Sequence, residues 1–366
     1  MFEVFSRIMR KHEVKLFCGY YSPVGYTAEK CLNIEGVITR TKNDVSIPGY
    51  GPVYASCVSE SVRRISRYNP DVVFVNSGYE YVTLLCRQCE GSVIPYVLST
   101  DWYRSNLLGN TSTWRIPYLE KLASIAARSP SALRSYQRLS GVIGIRELDL
   151  RRCKINLCIS NHISRFLKQL DPKIRTRVVP LGVDHKVFKP TFEDQDYLLI
   201  VTRIQPTKNQ MLAVNAVKGT DYKLRIYGNM ERYEPYERYY RELLSAKGKS
   251  VQISLNKSER TIIQELQKCS LFLNPARNEG VPLVDLEAMA CGKFVIGHKS
   301  GGQIELLKES GMVCGDDPNE WRSHINDLMK DRNRRIELGR QAHHATLAYT
   351  WDNTAQKIQQ AIEEYG

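Results

Sequence analysis

The sequence has no stretch of roughly 18 apolar residues free of charge, the length a helix needs to cross a bilayer. Residues 1–13 also lack the uninterrupted apolar core and the small-residue cleavage site of a signal peptide. A mean hydropathy of −0.37 is typical of a globular chain rather than a polytopic membrane protein. We therefore expect a cytoplasmic protein, either free or held peripherally on the inner face of a membrane.

Cysteine is present, but the sequence lacks a complete metal-ligand set. Ten cysteines are scattered along the chain, mostly within apolar runs. Cys86 and Cys89 have C-x-x-C spacing, yet neither a second close pair nor a nearby histidine accompanies them. The default interpretation is two helical thiols one turn apart, with metal or redox function as the minor alternative. No metal and no cofactor is predicted.

Acidic residues are scarce in the first half of the chain. The whole sequence holds 52 basic and 39 acidic residues, a net charge of +13. Residues 1–190 contain 28 basic and 15 acidic residues, whereas residues 191–366 contain 24 of each. Such asymmetry favours an anionic partner for the first half, such as an acidic membrane, a phosphorylated lipid or a nucleic acid. The alternative is a solvated basic face that only aids solubility.

Short apolar β-rich runs alternate with longer helical patterns, which is typical of parallel α/β architecture. The length favours two domains, and the polar run around Pro190 is the natural linker. We predict an α/β chain of two doubly wound, Rossmann-like domains with parallel sheets facing an interdomain cleft. The predicted division is 1–186, 187–345, and a C-terminal helix, 346–366, that packs back toward the first domain. Ligands should bind beyond the carboxyl ends of the strands.

Two strand-to-helix turns in the second half carry groups suited to such a ligand. After the predicted strand 197–202, the turn TRIQPTKNQ presents Arg203 and Lys208, whose cationic groups suit a diphosphate. After strand 271–274, the segment NPARNEGVPLVDLEAMACG contains Gly280, which frees the backbone. Pro282 follows where a helix could begin.

The helix start predicted at Pro282 offers both amides and carboxylates. The amides of Gly280, Val281 and Leu283 would stand free there to donate to an anion or a sugar. Glu279 precedes the helix, and Glu287 follows eight residues later, a separation that suits a polyhydroxylated ligand better than a metal. On spacing alone, Glu279 as a capping group and Glu287 as a surface charge remain an equal alternative.

These segments resemble glycosyltransferase family 4, a retaining group with the GT-B fold. RNEGVPLVDLEAMACG is similar to its E-x7-E signature, with Glu279 and Glu287 on the two glutamates, and TRIQPTKN resembles its Arg/Lys turn. CISNHISRFL, VVPLGVDHKVFKP, VIGHKSGGQIELL and YTWDNTAQKI also match, in the family's order. The resemblance runs from about residue 155 to the C-terminus.

The resemblance implies a role for each matched residue. Arg203 and Lys208 would bind the diphosphate of a nucleotide-sugar donor and stabilise the leaving nucleotide without a metal. Glu279 and the amides from Gly280 to Leu283 would hold sugar hydroxyls. Glu287 would accept from the ribose, and the turn at Leu255 and Asn256 would lie against the base. The donor nucleotide stays open between UDP, GDP and ADP.

The first half departs from the family pattern at two places. Its glycine-rich turn survives only as GYYSPVGYTAE, where Gly25 is the remaining central glycine. A histidine expected near the reacting carbon is replaced by Asp101 in YVLSTDWYR. Asp101 is predicted to act on the acceptor hydroxyl or the anomeric carbon, with an N-cap as the alternative.

The resemblance and the charge together predict a retaining hexosyltransferase. Its acceptor would be lipid-linked, a glycan or otherwise membrane-associated, and the basic segment 114–154 would dock on an anionic membrane. Transfer to DNA bases is one alternative. A non-catalytic nucleic-acid-binding protein is another, but no helix-turn-helix, zinc-finger or RNP pattern is present.

Overall fold

The computed structural model describes residues 7–8, 16–18, 34–37, 46–47, 51–52, 65–75, 86, 89, 91–97, 150–230, 234–277 and 279–366. The chain divides into two compact units. The first comprises Met1–Ile159, Ile163–Val179 and Ala355–Gly366, and the second comprises Ser160–His162 and Pro180–Thr354. The sequence-based boundaries at 186/187 and 345/346 therefore differ from this division.

Hydrogen bonds at the ends of the second unit explain the difference. The amide of Val183 donates to the carbonyl of Tyr349 at 3.0 Å, and the Thr354 hydroxyl donates to the carbonyl of Pro180 at 2.8 Å. A Cβ at Gly182 would lie 2.3 Å from the amide nitrogen of Trp351, so the two segments touch through their backbones. Because residues 180–183 and 349–354 are far apart in the sequence, no local sequence pattern predicts that their backbones pair.

The strands of the first unit are β1 (Leu16–Cys18), β2 (Ile34–Val37), β3 (Ser46–Ile47), β4 (Gly51–Pro52), β5 (Val72–Val75), β6 (Ser92–Val97), β7 (Asn156–Cys158) and β8 (Thr176–Val178). The last four form a parallel sheet in the order β5-β6-β7-β8. The side chains of Tyr96 and Leu157 are fully buried within it. Helix α1, Asn161–Leu170, follows β7 in the chain and buries Ile163 and Leu167.

The second unit is built on six parallel strands. They are β9 (Tyr197–Val201), β10 (Lys223–Gly228), β11 (Val251–Leu255), β12 (Leu271–Asn274), β13 (Val295–His298) and β14 (Met312–Cys314). The helices are α2 (Gln210–Val217), α3 (Glu234–Ala246), α4 (Glu259–Lys268), α5 (Leu283–Ala290), α6 (Gln303–Leu307), α7 (Pro318–Lys330), α8 (Arg332–Thr346) and α9 (Trp351–Tyr365), which continues into the first unit. In the described part of the chain, no helix is long and apolar enough to cross a membrane.

The strand order of this sheet, β11-β10-β9-β12-β13-β14, determines where a ligand can bind. This is the order of a doubly wound Rossmann sheet, in which the chain reverses direction across the sheet between its first and fourth strands. Here those strands are β9 and β12, whose residues Leu198 and Leu271 pair in register. All four residues of β12 are buried, as expected for a strand covered by helices on both faces. The turns after β9 and β12 therefore meet at the switch point.

Candidate functional site

The turn after β9 holds both predicted cations. A single 3₁₀ turn, Pro206–Lys208, follows the strand and ends at Asn209, whose φ of 51° is left-handed. The side chain of Gln210 donates to the carbonyl of Arg203 at 2.7 Å, which fixes the backbone beneath the exposed Arg203 side chain. Lys208 lies at the end of the 3₁₀ turn with only 15% of its side chain exposed.

Lys208 forms an ion pair with Glu279, in the turn after β12. Its ammonium group donates to the Oε1 atom of Glu279, whose side chain is 17% exposed. The two turns are also joined through their backbones, because the amide of Arg277 donates to the carbonyl of Thr207 at 3.1 Å. The fold thus brings together two predicted catalytic residues that lie 71 positions apart. Glu279 is an ion-pair partner here rather than a cap.

Helix α5 begins four residues after Glu279, one residue later than predicted. Pro282 is the N-cap, with a φ of −69° and an extended ψ of 119°, and the helix begins at Leu283. No described side chain caps the helix. The amides of Gly280, Val281 and Leu283 donate to no residue that the structure describes. This helix start therefore keeps donors and the positive end of the helix dipole available.

Glu287 lies in the second turn of α5. Burial, with a smaller contribution from the nearby Glu259 carboxylate, raises the pKa of Glu287 to about 7. No described side chain donates to its carboxylate. A buried carboxylate that lacks a hydrogen-bond donor is stabilised when a ligand hydroxyl donates to it.

Leu255 and Asn256 lie at the end of β11, in the sheet that also carries the other site turns. Asn256 adopts a left-handed φ of 55°, and its amide donates to the carbonyl of Gly228 at 2.8 Å. The sharp turn there leads into Lys257, whose ammonium group lies 6.0 Å from the ring centre of Tyr227.

A buried polar cluster underlies the site, and the sequence reasoning missed it. The carboxylate of Asp285, in the first turn of α5, accepts from Asn274 at 2.6 Å and from Gln303 at 2.9 Å. All three side chains are at most 3% exposed. Burial raises the pKa of Asp285 to about 7, while the two amide donors oppose the shift. The sequence signal that could have identified this cluster is the position of Asp285 between apolar residues in VPLVDLEAMA.

The Gly301–Gly302 turn supports the loop that carries Glu279. The amide of Gly302 donates to the carbonyl of Glu279 at 2.7 Å. A Cβ at Gly302 would lie 1.4 Å from the carbonyl oxygen of Gly280, so only glycine allows this approach. Gly301 adopts a φ of 66°, which also favours glycine. The turn therefore holds the backbone ahead of α5 in place.

The remaining predicted residues fall elsewhere. Gly25 and Asp101 lie outside the described residues, as does nearly all of segment 114–154. Cys86 is helical but Cys89 is not, so the two are not the pair of helical thiols that the spacing predicted. The Cys86 sulfur lies 3.7 Å from that of Cys153, and the Cys89 sulfur lies 3.6 Å from the Ser66 hydroxyl.

The fold and part of the sequence are similar to those of known glycosyltransferases. The structure superposes on sucrose-phosphate synthase from Thermosynechococcus elongatus with a TM-score of 0.72, covering 99% of this chain and 90% of that one at 16% identity. Anabaena HepE in complex with UDP and glucose gives a TM-score of 0.65, covering 85% and 82% at 16% identity. The chain has the GT-B fold. Residues 184–345 match the family model for glycosyl transferases group 1, and this range includes the predicted site residues that the structure describes.

The chain is also similar in sequence to curated glycosyltransferases, over part of their length. An uncharacterized glycosyltransferase of Methanocaldococcus jannaschii is 24% identical over 57% of this chain and 59% of its own. A D-inositol 3-phosphate glycosyltransferase of Paenarthrobacter aurescens is 25% identical over 53% and 52%. The chain thus spans between half and three-fifths of the length of these curated relatives.

Proposed function

We propose that the protein is a retaining glycosyltransferase of family 4 that moves a hexose from a nucleotide-diphosphate donor to an acceptor hydroxyl. The observation that carries the proposal is the Lys208–Glu279 pair beside the uncapped start of α5, at the switch point of a GT-B sheet. A cation, a carboxylate and free amides together suit a sugar attached to a diphosphate.

The donor phosphates would be held by Lys208 and Arg203. Arg203 is exposed at the end of β9, and its guanidinium group can bind two phosphate oxygens at once. Lys208 would exchange its Glu279 partner for a phosphate oxygen when the donor binds. Negative charge develops on the leaving diphosphate as the glycosidic bond breaks, and the two cations would stabilise it without a metal.

The sugar and ribose would be held by the carboxylates and amides around α5. Once Lys208 turns to the phosphate, Glu279 is available to accept from sugar hydroxyls, and the amides of Gly280, Val281 and Leu283 can donate to the donor's oxygens. Glu287, which has no described donor, would accept from the ribose. Leu255 and Asn256 would lie against the base. Pro282 would set the direction of the loop.

Retention would follow from attack on the face that the phosphate leaves. The acceptor oxygen would bond to the anomeric carbon as the carbon–phosphate oxygen bond breaks, and the acceptor proton would pass to the departing phosphate. Asp101 is proposed to stabilise positive charge at the anomeric carbon or to orient the acceptor, and Gly25 to let the backbone approach the donor.

The acceptor is proposed to be lipid-linked, a glycan or otherwise membrane-associated. Residues 150–177, in the described part of the chain, hold eight basic residues and one acidic residue. Such a charge imbalance favours an anionic surface. This would place the protein in the cytoplasm, peripherally on a membrane.

A thermal-shift screen with UDP-, GDP- and ADP-glucose tests the donor assignment. A ligand at a hundred times its dissociation constant should stabilise the fold by about 2.7 kcal/mol. UDP-glucose is the first choice because HepE was solved with UDP and glucose. NMR of the product's anomeric configuration then tests retention. If no nucleotide sugar shifts the melting temperature, or if Glu279→Ala leaves transfer unchanged, the proposed site is wrong.

A further inference from the structure

The end of β14 and the first two turns of α7 form a cluster of metal-binding side chains outside the proposed donor site. Cys314 is the last residue of β14 and is fully buried. Glu320 and His324 lie on α7 and are partly buried. The Cys314 sulfur, a carboxylate oxygen of Glu320 and a ring nitrogen of His324 all lie within 4.8 Å of one another.

The fold holds these side chains together without help from a ligand. Glu320 and His324 are four residues apart on a helix, which puts them one above the other on the same face. Trp321 between them is fully buried, and its indole nitrogen donates to the carbonyl of Gly315 at 2.9 Å. That bond fixes α7 against the residue that follows Cys314, so the three donor atoms are brought together by packing.

The donor set suits a borderline divalent cation. The Oε2 atom of Glu320 accepts from the amide of Gly315 at 2.8 Å, which leaves its other oxygen for a further partner. Thiolate, imidazole and carboxylate are the three side-chain ligands that zinc uses in proteins, and sites with three protein ligands leave a fourth position for water. Calcium and magnesium prefer oxygen alone.

We propose that Cys314, Glu320 and His324 bind one zinc ion. On binding, the sulfur–hydrogen bond of Cys314 gives way to a sulfur–metal bond, and the proton passes to solvent. The ion would join β14 to α7 and so stabilise the segment between them. That segment includes Asp316, whose carboxylate accepts from Arg277 at 2.8 Å and from His298 at 3.0 Å. The proposal does not depend on the proposed transferase function.

Cobalt titration of the reduced, metal-free full-length chain tests the site, because Co²⁺ reports its ligands in its absorption spectrum. One equivalent should produce a thiolate-to-cobalt charge-transfer band in the near ultraviolet, and added zinc should remove it. Cys314→Ser should abolish the band. His324→Gln should weaken cobalt binding by at least roughly tenfold, since even indirect partners of a metal site cost that much.

Two matched variants separate this site from adventitious binding. His344→Gln changes an exposed histidine on α8, and Cys86→Ser removes a thiol 3.7 Å from Cys153; both should leave the band intact. A band that survives undiminished in Cys314→Ser and His324→Gln, or the absence of any saturable band, overturns the proposal. If Cys314→Ser does not fold, as judged by circular dichroism, the partly exposed His324→Gln and Glu320→Gln decide the matter.

Discussion

Charged groups are buried at both ends of the strands of the six-stranded sheet, but they are hydrogen-bonded more completely at the amino end than at the carboxyl end. At the amino end, Arg335 donates to the carboxylate of Asp194 at 2.9 Å and to the carbonyl of Leu328 at 2.8 Å. The ammonium group of Lys293 donates to the carbonyl of Glu193 at 2.8 Å. Each cation there has a fixed acceptor, so this end contributes to stability.

At the carboxyl end, the polar groups are only partly satisfied. Glu287 has no described donor, and Asp285 is held by neutral amides rather than by a cation. Among the described residues, no side chain caps the start of α5, and Glu279 is the one carboxylate paired with Lys208. Incomplete partnering costs stability and is expected where a ligand supplies the missing partners. The comparison therefore supports a stabilising role for the amino end of the strands and the proposed donor binding at the carboxyl end.

The largest expected effect is on stability, at the amino end. Arg335→Ala removes the nearer of the two cations that pair with Asp194 and leaves Arg332, at 3.8 Å, as the other. It should lower the free energy of unfolding by about 3 kcal/mol, the lower end of the range for a broken buried ion pair. Urea unfolding followed by circular dichroism measures this. Arg334→Ala, at the exposed neighbouring position, should change it little. Any transfer activity, measured per folded molecule, should persist; an equal loss there would remove the distinction between the two ends.

At the carboxyl end, Lys208→Ala should act on the reaction rather than on the fold. Loss of one group that stabilises developing charge typically lowers kcat by about a hundredfold to a thousandfold. Steady-state kinetics with the donor identified by thermal shift provide the measurement, with Lys218→Ala as an exposed control. Unchanged kcat with a collapsed melting temperature would make Lys208 structural.

Gly302→Ala tests whether the Gly301–Gly302 turn supports the ligand-binding loop. The new methyl group would meet the carbonyl of Gly280, so the loop must move, at a cost of about 1–3 kcal/mol typical of overpacking. Donor affinity, measured by calorimetry, should fall together with the melting temperature. At Gly248, by contrast, a Cβ would meet no atom within 4 Å, and Gly248→Ala should leave both values unchanged.

The most gradual effect concerns pH. Burial raises the pKa of Glu287 from 4.5 to about 7, so between these values the folded state holds a proton that the unfolded state has lost. Stability is therefore fully present below pH 4.5 and falls as pH rises toward about 7, by at most about 1.4 kcal/mol per pH unit from this group.

Glu287→Gln removes that titration. The variant should lose part of the pH dependence between 5 and 7 and become more stable than the native chain at pH 8, while binding the donor more weakly. Denaturant unfolding at several pH values measures the slope, and the exposed Glu309→Gln is the control. A slope unchanged from that of the native chain would show that the Glu287 carboxylate is already ionised.

Local pattern was enough to predict the two strands that precede the site turns. β12 has the predicted bounds and β9 ends one residue earlier than predicted, because each is a short apolar run ended by polar or turn-forming residues. The start of α5 was predicted to within a residue. The unit boundary at Pro180 was not, because it depends on backbone bonds to residues 349–354.

The α/β class, the GT-B resemblance and the residue types at the turns after β9 and β12 can be read from the sequence, because strand periodicity and turn chemistry are local properties. Which of those residues meet depends on the folded chain. It paired Lys208 with Glu279, buried Asp285 against Asn274 and Gln303, and gathered Cys314 with Glu320 and His324. Such contacts depend on strand order and helix packing, which join residues far apart in the chain.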